Sequence, residues 1–228
     1  DALKRRVAQY GCTVRLDEVV ELPERTFVQR MCVASAELRR AYKQLQKDFT
    51  TQLKDRTITA DNAAVLATRL VRLTSGLGHA DHEQLAPNPK IAELMSEVGS
   101  FVAAGKVIVW SAWPSEREAV TTALRAALYR VTLEPDEFVS GDYDILVGSP
   151  KMFGTGLNLQ LAKYQLWLSR TWSLLEREQA LARNYRAGQT EKTVVVDYLT
   201  EGTIDERVLN ALETKTDLLD QIMSTGEL

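Results

Sequence analysis

The 228-residue chain has few of the residues that mark disulfide, metal-binding or membrane proteins. It has two cysteines, Cys12 and Cys32, with no C-x-x-C spacing, and two histidines, His79 and His82. These numbers argue against a disulfide framework or a zinc site and favour free thiols in a reducing cytoplasm. The sequence has no signal-peptide pattern and no apolar run of about 18 residues, so we expect no membrane partner.

An excess of charge of one sign is also absent. The chain has 28 Lys and Arg against 31 Asp and Glu, which gives a net charge of −3. This balance carries no global signal for nucleic acid, so any DNA contact must come from a local basic patch. A hydrophobic content of 45% with 26% charged residues is ordinary for a globular protein with a core.

The motifs that would hold a nucleoside triphosphate and its magnesium ion are missing as well. No G-x-x-x-x-G-K-[ST] occurs, and the only Gly-Lys pair, Gly105-Lys106, precedes a predicted strand instead of a helix. No Asp-Glu pair follows a predicted strand in the Walker B manner. The acidic stretch 134–137 contains Pro135, which predicts a loop. The chain alone is therefore not expected to hold ATP.

Hydrophobic periodicity divides the chain into two parts. From 35 to about 75 the pattern is helical, since Leu38, Tyr42 and Leu45 recur at helical spacing, and 76–89 has loop composition. From Lys90 onward, short apolar runs alternate with helical patterns, one of them capped by 115–118. This alternation predicts an α/β fold with a parallel sheet and helices on both faces. The predicted strands are 107–110, 129–133, 145–147, 166–168 and 193–199.

The most informative stretch is 177–189, R-E-Q-A-L-A-R-N-Y-R-A-G-Q. The preceding residues 173–176 are typical of a capping box that opens a helix, and Gly188 fits the end of that helix. On it, Gln179, Arg183 and Arg186 would share one face. Two guanidinium groups on one face are hard to bury without an anion, and their fork geometry matches phosphate. The alternative is a solvated basic face.

A glycine-rich turn lies upstream of this helix. The apolar run 143–148 is followed by 151–159, K-M-F-G-T-G-L-N-L, and one further strand candidate, 164–169, precedes the arginines. A strand that leads into a Gly-x-Gly turn is typical of a phosphate-approach loop.

Strand, glycine turn, strand and arginine helix together resemble motifs V and VI of the Swi/Snf-type ATPases of helicase superfamily two. Residues 149–159 match the motif V pattern S-T-R-A-G-G-x-G-x-N-L in length. They keep its serine, two glycines, asparagine and final leucine at Ser149, Gly154, Gly156, Asn158 and Leu159. The motif VI pattern Q-A-x-x-R-x-x-R-x-G-Q is reproduced in full by Gln179, Ala180, Arg183, Arg186, Gly188 and Gln189.

The resemblance extends over most of the chain. Residues 202–207, G-T-I-D-E-R, resemble the family's G-T-I-E-E-K, and 106–111 resemble motif IV. Residues 88–90 resemble the S-P-K lead-in to motif IV. The resemblance implies a RecA-like parallel sheet with helices on both faces, preceded by a helical segment. It divides the chain into an inter-lobe linker, 1–34, a helical segment and loop, 35–89, and the C-terminal lobe with its closing helix, 90–228.

The family keeps its Walker motifs in a first lobe, so the resemblance implies that this chain is the second motor lobe of an ATP-dependent double-stranded DNA translocase or helicase. ATP and Mg²⁺ would be held mainly by the first lobe, and the partners would be that lobe and the DNA backbone. The implied catalytic residues are the arginine fingers Arg183 and Arg186. The implied ATP contacts are Gly156, Asn158, Gln179 and Gln189, and the implied DNA contacts are Ser111, Ser149, Lys151 and Gly154.

Several alternatives stay open. Asn158 would also suit a helix N-cap without a ligand, and Ser111 a strand-end serine satisfied by its own loop. The whole chain could be a non-catalytic DNA- or partner-binding module, or belong to a strand-separating helicase of another superfamily-two branch. The large insertions of chromatin remodellers are missing, so we do not expect histone partners. The compact form resembles bacterial or phage members, which implies a cytoplasmic, nucleoid-associated protein.

Overall fold

The computed structural model of the chain describes residues 20–54, 60–78, 84–152 and 158–225. Its strands are β1 (Arg25–Cys32), β2 (Lys106–Trp110), β3 (Val131–Thr132), β4 (Ile145–Gly148), β5 (Ala162–Trp167) and β6 (Thr193–Thr200). Its helices are α1 (Ala36–Lys54), α2 (Ala60–Leu73), α3 (Pro89–Ala104), α4 (Pro114–Ala126), α5 (Pro135–Ser140), α6 (Leu174–Leu181) and α7 (Ile204–Thr225).

The strands form one parallel sheet in the order β1-β6-β5-β2-β4-β3. Alternate residues of each strand point to opposite faces, and both faces are buried. Leu94 of α3 and Leu124 of α4 belong to the core on one face. Phe138 of α5 and Leu181 of α6 belong to the core on the other. The predicted α/β fold with helices on both faces is confirmed.

Strand β1 corrects the predicted linker. The linker was expected to cover 1–34, yet Arg25–Cys32 pairs along its whole length with β6 and so belongs to the sheet. Val28 packs against the core, and Cys32 at the end of the strand is buried. Residues 1–19 of the predicted linker lie outside the described part of the chain.

The helical segment packs on the lobe through two small apolar clusters. Leu38 of α1 and Leu70 of α2 share one cluster with Ile204 at the start of α7. Val71 shares the other with Val208, so the first half of α7 packs on this lobe. Within the described ranges, none of the helices is both long enough and apolar enough to traverse a bilayer.

A buried ion pair connects α2, α3 and α7. The ammonium of Lys90 lies 3.1 Å from the Asp205 carboxylate, and their side chains are 0% and 4% exposed. The Thr74 hydroxyl donates to the same carboxylate at 2.8 Å, and the backbone N–H of Thr200 donates to it at 3.1 Å. The 88–90 and 202–207 segments of the family resemblance therefore meet in one buried polar cluster.

Two helix starts differ from the sequence prediction because proline suits the first turn of a helix. Residues 134–137 were predicted to be a loop, but Pro135 opens α5, which is anchored by the buried Phe138. Helix α4 has Pro114 in its first turn and Trp113 at the N-cap position, so the predicted cap at 115–118 is wrong.

Candidate nucleotide and DNA sites

Helix α6 leads to the two predicted finger arginines. Its N-cap is Ser173, whose hydroxyl accepts the backbone N–H of Glu176 at 3.3 Å, as the sequence predicts. The reciprocal half of the capping box is replaced, because the Glu176 carboxylate accepts from the Thr171 hydroxyl at 2.9 Å. Gln179, a predicted ATP contact, is half-buried on this helix.

The helix ends at Leu181, so its predicted extension to Gly188 is wrong. Arg183 and Arg186 lie in the turns of 182–189, which we name the arginine segment. Arg183 is half-buried, whereas Arg186 is exposed. Burial lowers the pKa of Arg183, and the nearby charge of Arg186 lowers it further. The two guanidinium groups are therefore electrostatic neighbours without sharing a helix face.

A buried chain of amide hydrogen bonds fixes this segment on the sheet. The indole N–H of Trp110 in β2 donates to the Gln165 side chain at 2.8 Å. The Gln165 amide donates in turn to the Asn184 side-chain oxygen. Asn184 closes the chain by donating to the carbonyl of Ala162 at 2.9 Å. Sequence reasoning missed Asn184, although the glutamine inside the apolar β5 run was a signal that it needs a buried partner.

The Gln189 side chain holds the end of the arginine segment through hydrogen bonds to the backbone. These bonds use the amide that the sequence predicts to contact ATP. Its side-chain nitrogen donates to the carbonyls of Gln160 and Asn184 at 2.8 and 2.9 Å. Its oxygen accepts the backbone N–H groups of Thr190 and Glu191, both at 3.0 Å. The residue is 7% exposed, so its amide is used inside the fold.

The end of the motif V stretch meets the arginine segment directly. The backbone N–H of Leu159 donates to the carbonyl of Arg183 at 3.0 Å. Asn158 is exposed, and its side-chain oxygen accepts the backbone N–H of Gln160 at 3.2 Å. This is a local turn bond, so Asn158 is not a helix N-cap. Gly188 adopts a φ of +95°, which lets the chain turn closely over the Gln160 side chain.

Arg25, the first residue of β1, also contacts the arginine segment. The guanidinium of Arg25 lies 4.3 Å from the centre of the Tyr185 ring and 5.0 Å from that of Phe27. Burial lowers the pKa of Arg25, while the charge of Glu178 opposes that shift. Tyr185 lies between the two finger arginines in sequence, so this stacking also holds the segment in place.

The chain is similar in sequence to several known proteins. No protein-family model matches it. It is 29% identical over 241 residues, which cover 93% of the chain, to YwqA of Bacillus subtilis (strain 168), a protein that carries the name of an ATP-dependent helicase/translocase. It is 34% identical over 82 residues, 36% of the chain, to the DNA repair protein RAD5 of Cryptococcus neoformans. The chain spans only 26% and 7% of the lengths of these relatives.

Solved structures show the same fold. The C-terminal part of the Fun30 ATPase domain superposes with a TM-score of 0.70 at 15% identity, over 89% of this chain and 97% of that one. The C-terminal domain of the Sulfolobus solfataricus SWI2/SNF2 ATPase gives a TM-score of 0.60 at 14% identity, over 87% and 90% of the two chains. The chain therefore has the RecA-like fold of these C-terminal ATPase domains.

The predicted DNA contacts of the chain fall into three groups. Ser149, which follows β4, is 6% exposed, and Lys151 in the next turn is exposed. Gly154, like the predicted ATP contact Gly156, lies outside the described residues. Ser111 does not suit a DNA contact, because it is fully buried and its hydroxyl donates to the Glu116 carboxylate at 2.6 Å. The alternative of a locally satisfied strand-end serine is the one the geometry supports.

The predicted DNA contacts Ser149 and Lys151 and the arginine segment lie at opposite ends of the parallel strands. Ser149 and Lys151 follow the carboxyl end of β4, while the arginine segment contacts Ala162 at the amino end of β5. Because β4 and β5 run in the same direction, these ends face opposite ways. In sequence, the motif V stretch runs from the first group to Leu159, whose backbone N–H bonds to Arg183 of the second group.

The chemistry of the arginine segment fits a polyphosphate. Burial and the charge of Arg186 lower the pKa of Arg183, and an adjacent anion would oppose this shift. Arg also offers phosphate a matching fork of donors. For the metal, the described residues contain no cluster of three or more His, Cys, Asp or Glu side chains that could hold an ion. The arginine segment thus has the chemistry of donors for phosphate.

Proposed function

We propose that the chain is the second motor lobe of an ATP-dependent double-stranded DNA translocase. The observation that carries this proposal is the arginine segment, in which Arg183 and Arg186 are neighbours and are fixed to the sheet through Asn184. A pair of guanidinium groups on a segment that is held in this way suits a site where negative charge develops. The partner would be a first RecA-like lobe, which would hold most of the contacts to ATP and Mg²⁺.

In this role Arg183 and Arg186 would stabilise charge on the phosphate oxygens. ATP with its Mg²⁺ would supply the phosphoryl group whose transfer drives the motor. Gln179 on α6 and the exposed Asn158 are proposed as polar contacts to the nucleotide, and Gly156 as a place of close backbone approach. Gln189 and Asn184 are proposed to act indirectly, by holding the arginine segment against β5.

For DNA, we propose that Ser149, Lys151 and Gly154 grip the phosphate backbone. The exposed Lys151 supplies a point charge, whereas the family pattern has an arginine at this position. Contacts to phosphate carry no direct sequence information, so no sequence preference is expected. A solved Sulfolobus solfataricus SWI2/SNF2 ATPase core in complex with double-stranded DNA has a TM-score of 0.67 to this chain at 18% identity, which supports the choice of ligand.

The chain by itself is expected not to hydrolyse ATP at any DNA concentration. Arginine fingers add charge to a phosphate that other residues hold, and this sequence has no Walker A loop to hold Mg²⁺-ATP. Phosphate release by the purified chain, with and without duplex DNA, measures this. Steady turnover in a preparation free of contaminating ATPases would contradict the assignment as a second lobe.

Replacing Lys151 with Ala is expected to weaken duplex binding and to flatten its salt dependence. Each phosphate neutralised by a cation releases bound counterions, so losing one contact should reduce the slope of log K against log salt by about one unit. Binding titrations at several salt concentrations give both slopes. Lys151→Arg should keep the slope, and an affinity that does not depend on salt would rule out backbone gripping.

A further inference from the structure

A cavity of about 570 Å³ opens beside the proposed DNA contact Ser149, between α4 and the carboxyl ends of β3 and β4. Its size is within the roughly 300–1,000 Å³ of ligand pockets in proteins. Clefts outside the carboxyl ends of parallel strands are also the usual place for ligands in α/β folds. None of the residues that α4 contributes to it belongs to the motifs of the proposed function.

Helix α4 lines this groove with one row of polar side chains. Arg117, Thr121 and Arg125 follow each other at i, i+4 and i+8, so they share one face of the helix. Thr121 is 6% exposed, and its hydroxyl has no hydrogen-bond partner among the described residues. Buried hydroxyl groups nearly always have a partner, and a phosphate oxygen or a water molecule at the groove would supply one.

The two arginines are anchored at the groove by one hydrogen bond each. Arg117 donates to the carbonyl of Ser111 and Arg125 to that of Val131, both at 3.1 Å. A guanidinium group has five donors, so these bonds orient the arginines and leave further donors for a ligand. Burial lowers the pKa of Arg117, and the charge of Glu116 opposes this shift. An anion in the groove would stabilise the charged form of Arg117.

Two carboxylates also line the cavity, and they limit what it can bind. Glu118 and Glu134 are both exposed, so water and salt screen their repulsion of an anion. Arg117 and Thr121 lie deeper, where electrostatic interactions are stronger. The attraction of the deeper groups therefore outweighs the screened repulsion of the exposed carboxylates. A phosphate group would lie between the polar side chains of α4 and Ser149, with Glu118 and Glu134 at the rim of the groove.

We propose that this groove is a further phosphate site, in which Arg117, Thr121 and Arg125 bind the backbone of the DNA strand that Ser149 and Lys151 contact. This inference rests on the proposed DNA-binding function. A free nucleotide offers the same phosphate chemistry. The DNA strand is the source we choose, because Ser149 lines the groove and so makes it continuous with the proposed grip.

Duplex binding by single variants of the whole chain tests the groove. A short fluorescent duplex is titrated at several salt concentrations and followed by anisotropy. Arg125→Ala should flatten the salt slope by about one unit, in addition to the effect of Lys151→Ala. Thr121→Val keeps the side-chain shape and removes only a neutral hydroxyl, so it should weaken binding roughly five-fold without changing the slope. Lys163→Ala, at the amino end of β5, is the control of equal charge and should have no effect.

The possible results separate the groove from the function on which it rests. If the unmodified chain binds no duplex at low salt, both proposals are overturned. If Lys151→Ala weakens binding while Arg125→Ala and Thr121→Val leave it unchanged, the groove alone is overturned. Titration with a mononucleotide forms the second arm. In one outcome, Thr121→Val abolishes mononucleotide binding and leaves the duplex affinity unchanged. This outcome would assign the groove to a free nucleotide and overturn the DNA assignment.

Discussion

Alanine in place of Arg183 or Arg186 is expected to lower the ATP turnover of a protein that joins this lobe to its first lobe by about 10³–10⁵-fold, the range of arginine fingers. Each guanidinium would act mainly on charge that develops in the transition state, so its removal raises the barrier to the reaction. DNA-stimulated phosphate release measures the effect. The affinities for ATP and DNA should change far less, because the first lobe would hold most ground-state contacts.

Three further variants sharpen this test. Arg207→Ala removes an exposed arginine from α7 and should leave turnover unchanged. The Arg183→Ala/Arg186→Ala double variant should be scarcely slower than the slower single variant if the two arginines act as a unit. Folding should survive each change, since both arginines lie in a surface turn. Near-normal turnover in either single variant would show that this arginine has a structural or DNA-binding role instead.

Lys90→Met should destabilise the folded chain by about 3–5 kcal/mol, the usual cost of leaving one member of a buried ion pair without the other. The side chains of Lys90 and Asp205 are almost completely shielded from water, so solvent cannot replace the lost cation. The loss is large against a total stability of roughly 5–15 kcal/mol. Urea unfolding followed by circular dichroism gives the change in the free energy of unfolding.

The control for this prediction is Lys192→Met, which removes the exposed ion pair between Lys192 and Glu24 and should leave the unfolding midpoint unchanged. In Lys90→Met/Asp205→Asn the unpaired charge is gone while an oxygen still faces the N–H of Thr200, so part of the stability should return. Equal midpoints for Lys90→Met and the unmodified chain would mean that the ion pair does not hold α3 and α7 together.

The sheet could be predicted from the sequence wherever a strand is buried on both faces. Strands β2, β4 and β6 are short apolar runs of the kind that only a covered parallel sheet accommodates. Strand β1 escaped prediction because it lies at the edge of the sheet. Its sequence, R-T-F-V-Q-R-M-C, carries two arginines and a glutamine, and Phe27 is 52% exposed. An edge strand with one open side leaves no continuous apolar pattern.

The arginine segment was found by its motif, and its shape was missed for a physical reason. Every residue from 182 to 187 tolerates a helix, so no local signal ends α6 at Leu181. The ending is set by contacts with distant parts of the chain, since Asn184 bonds to Ala162 and Gln165 of β5. Bonds to residues that are distant in sequence cannot be predicted from the local sequence.

Two polar residues of the resemblance are bonded inside the fold, which a motif cannot indicate because it does not show which way a side chain points. Ser111 and Gln189 occupy motif positions, yet both are buried and hydrogen-bonded within the fold. The motif positions that remain on the surface, among them Arg186 and Lys151, keep their proposed contacts with ligand. Internal hydrogen bonds thus mark Ser111 and Gln189 as residues that build the site.

The pairing of the first described strand with the last has a consequence for how this chain is made. Glu24 and Lys192, which flank the β1–β6 pair, are 168 positions apart. At about 5–20 residues per second, a ribosome needs roughly 8–34 s to synthesise that interval. Throughout this time β1 has no neighbour, because β6 is the only strand with which it pairs in the described sheet. The nascent chain must therefore keep Phe27 and Met31 away from other strands until the sixth strand has left the exit tunnel.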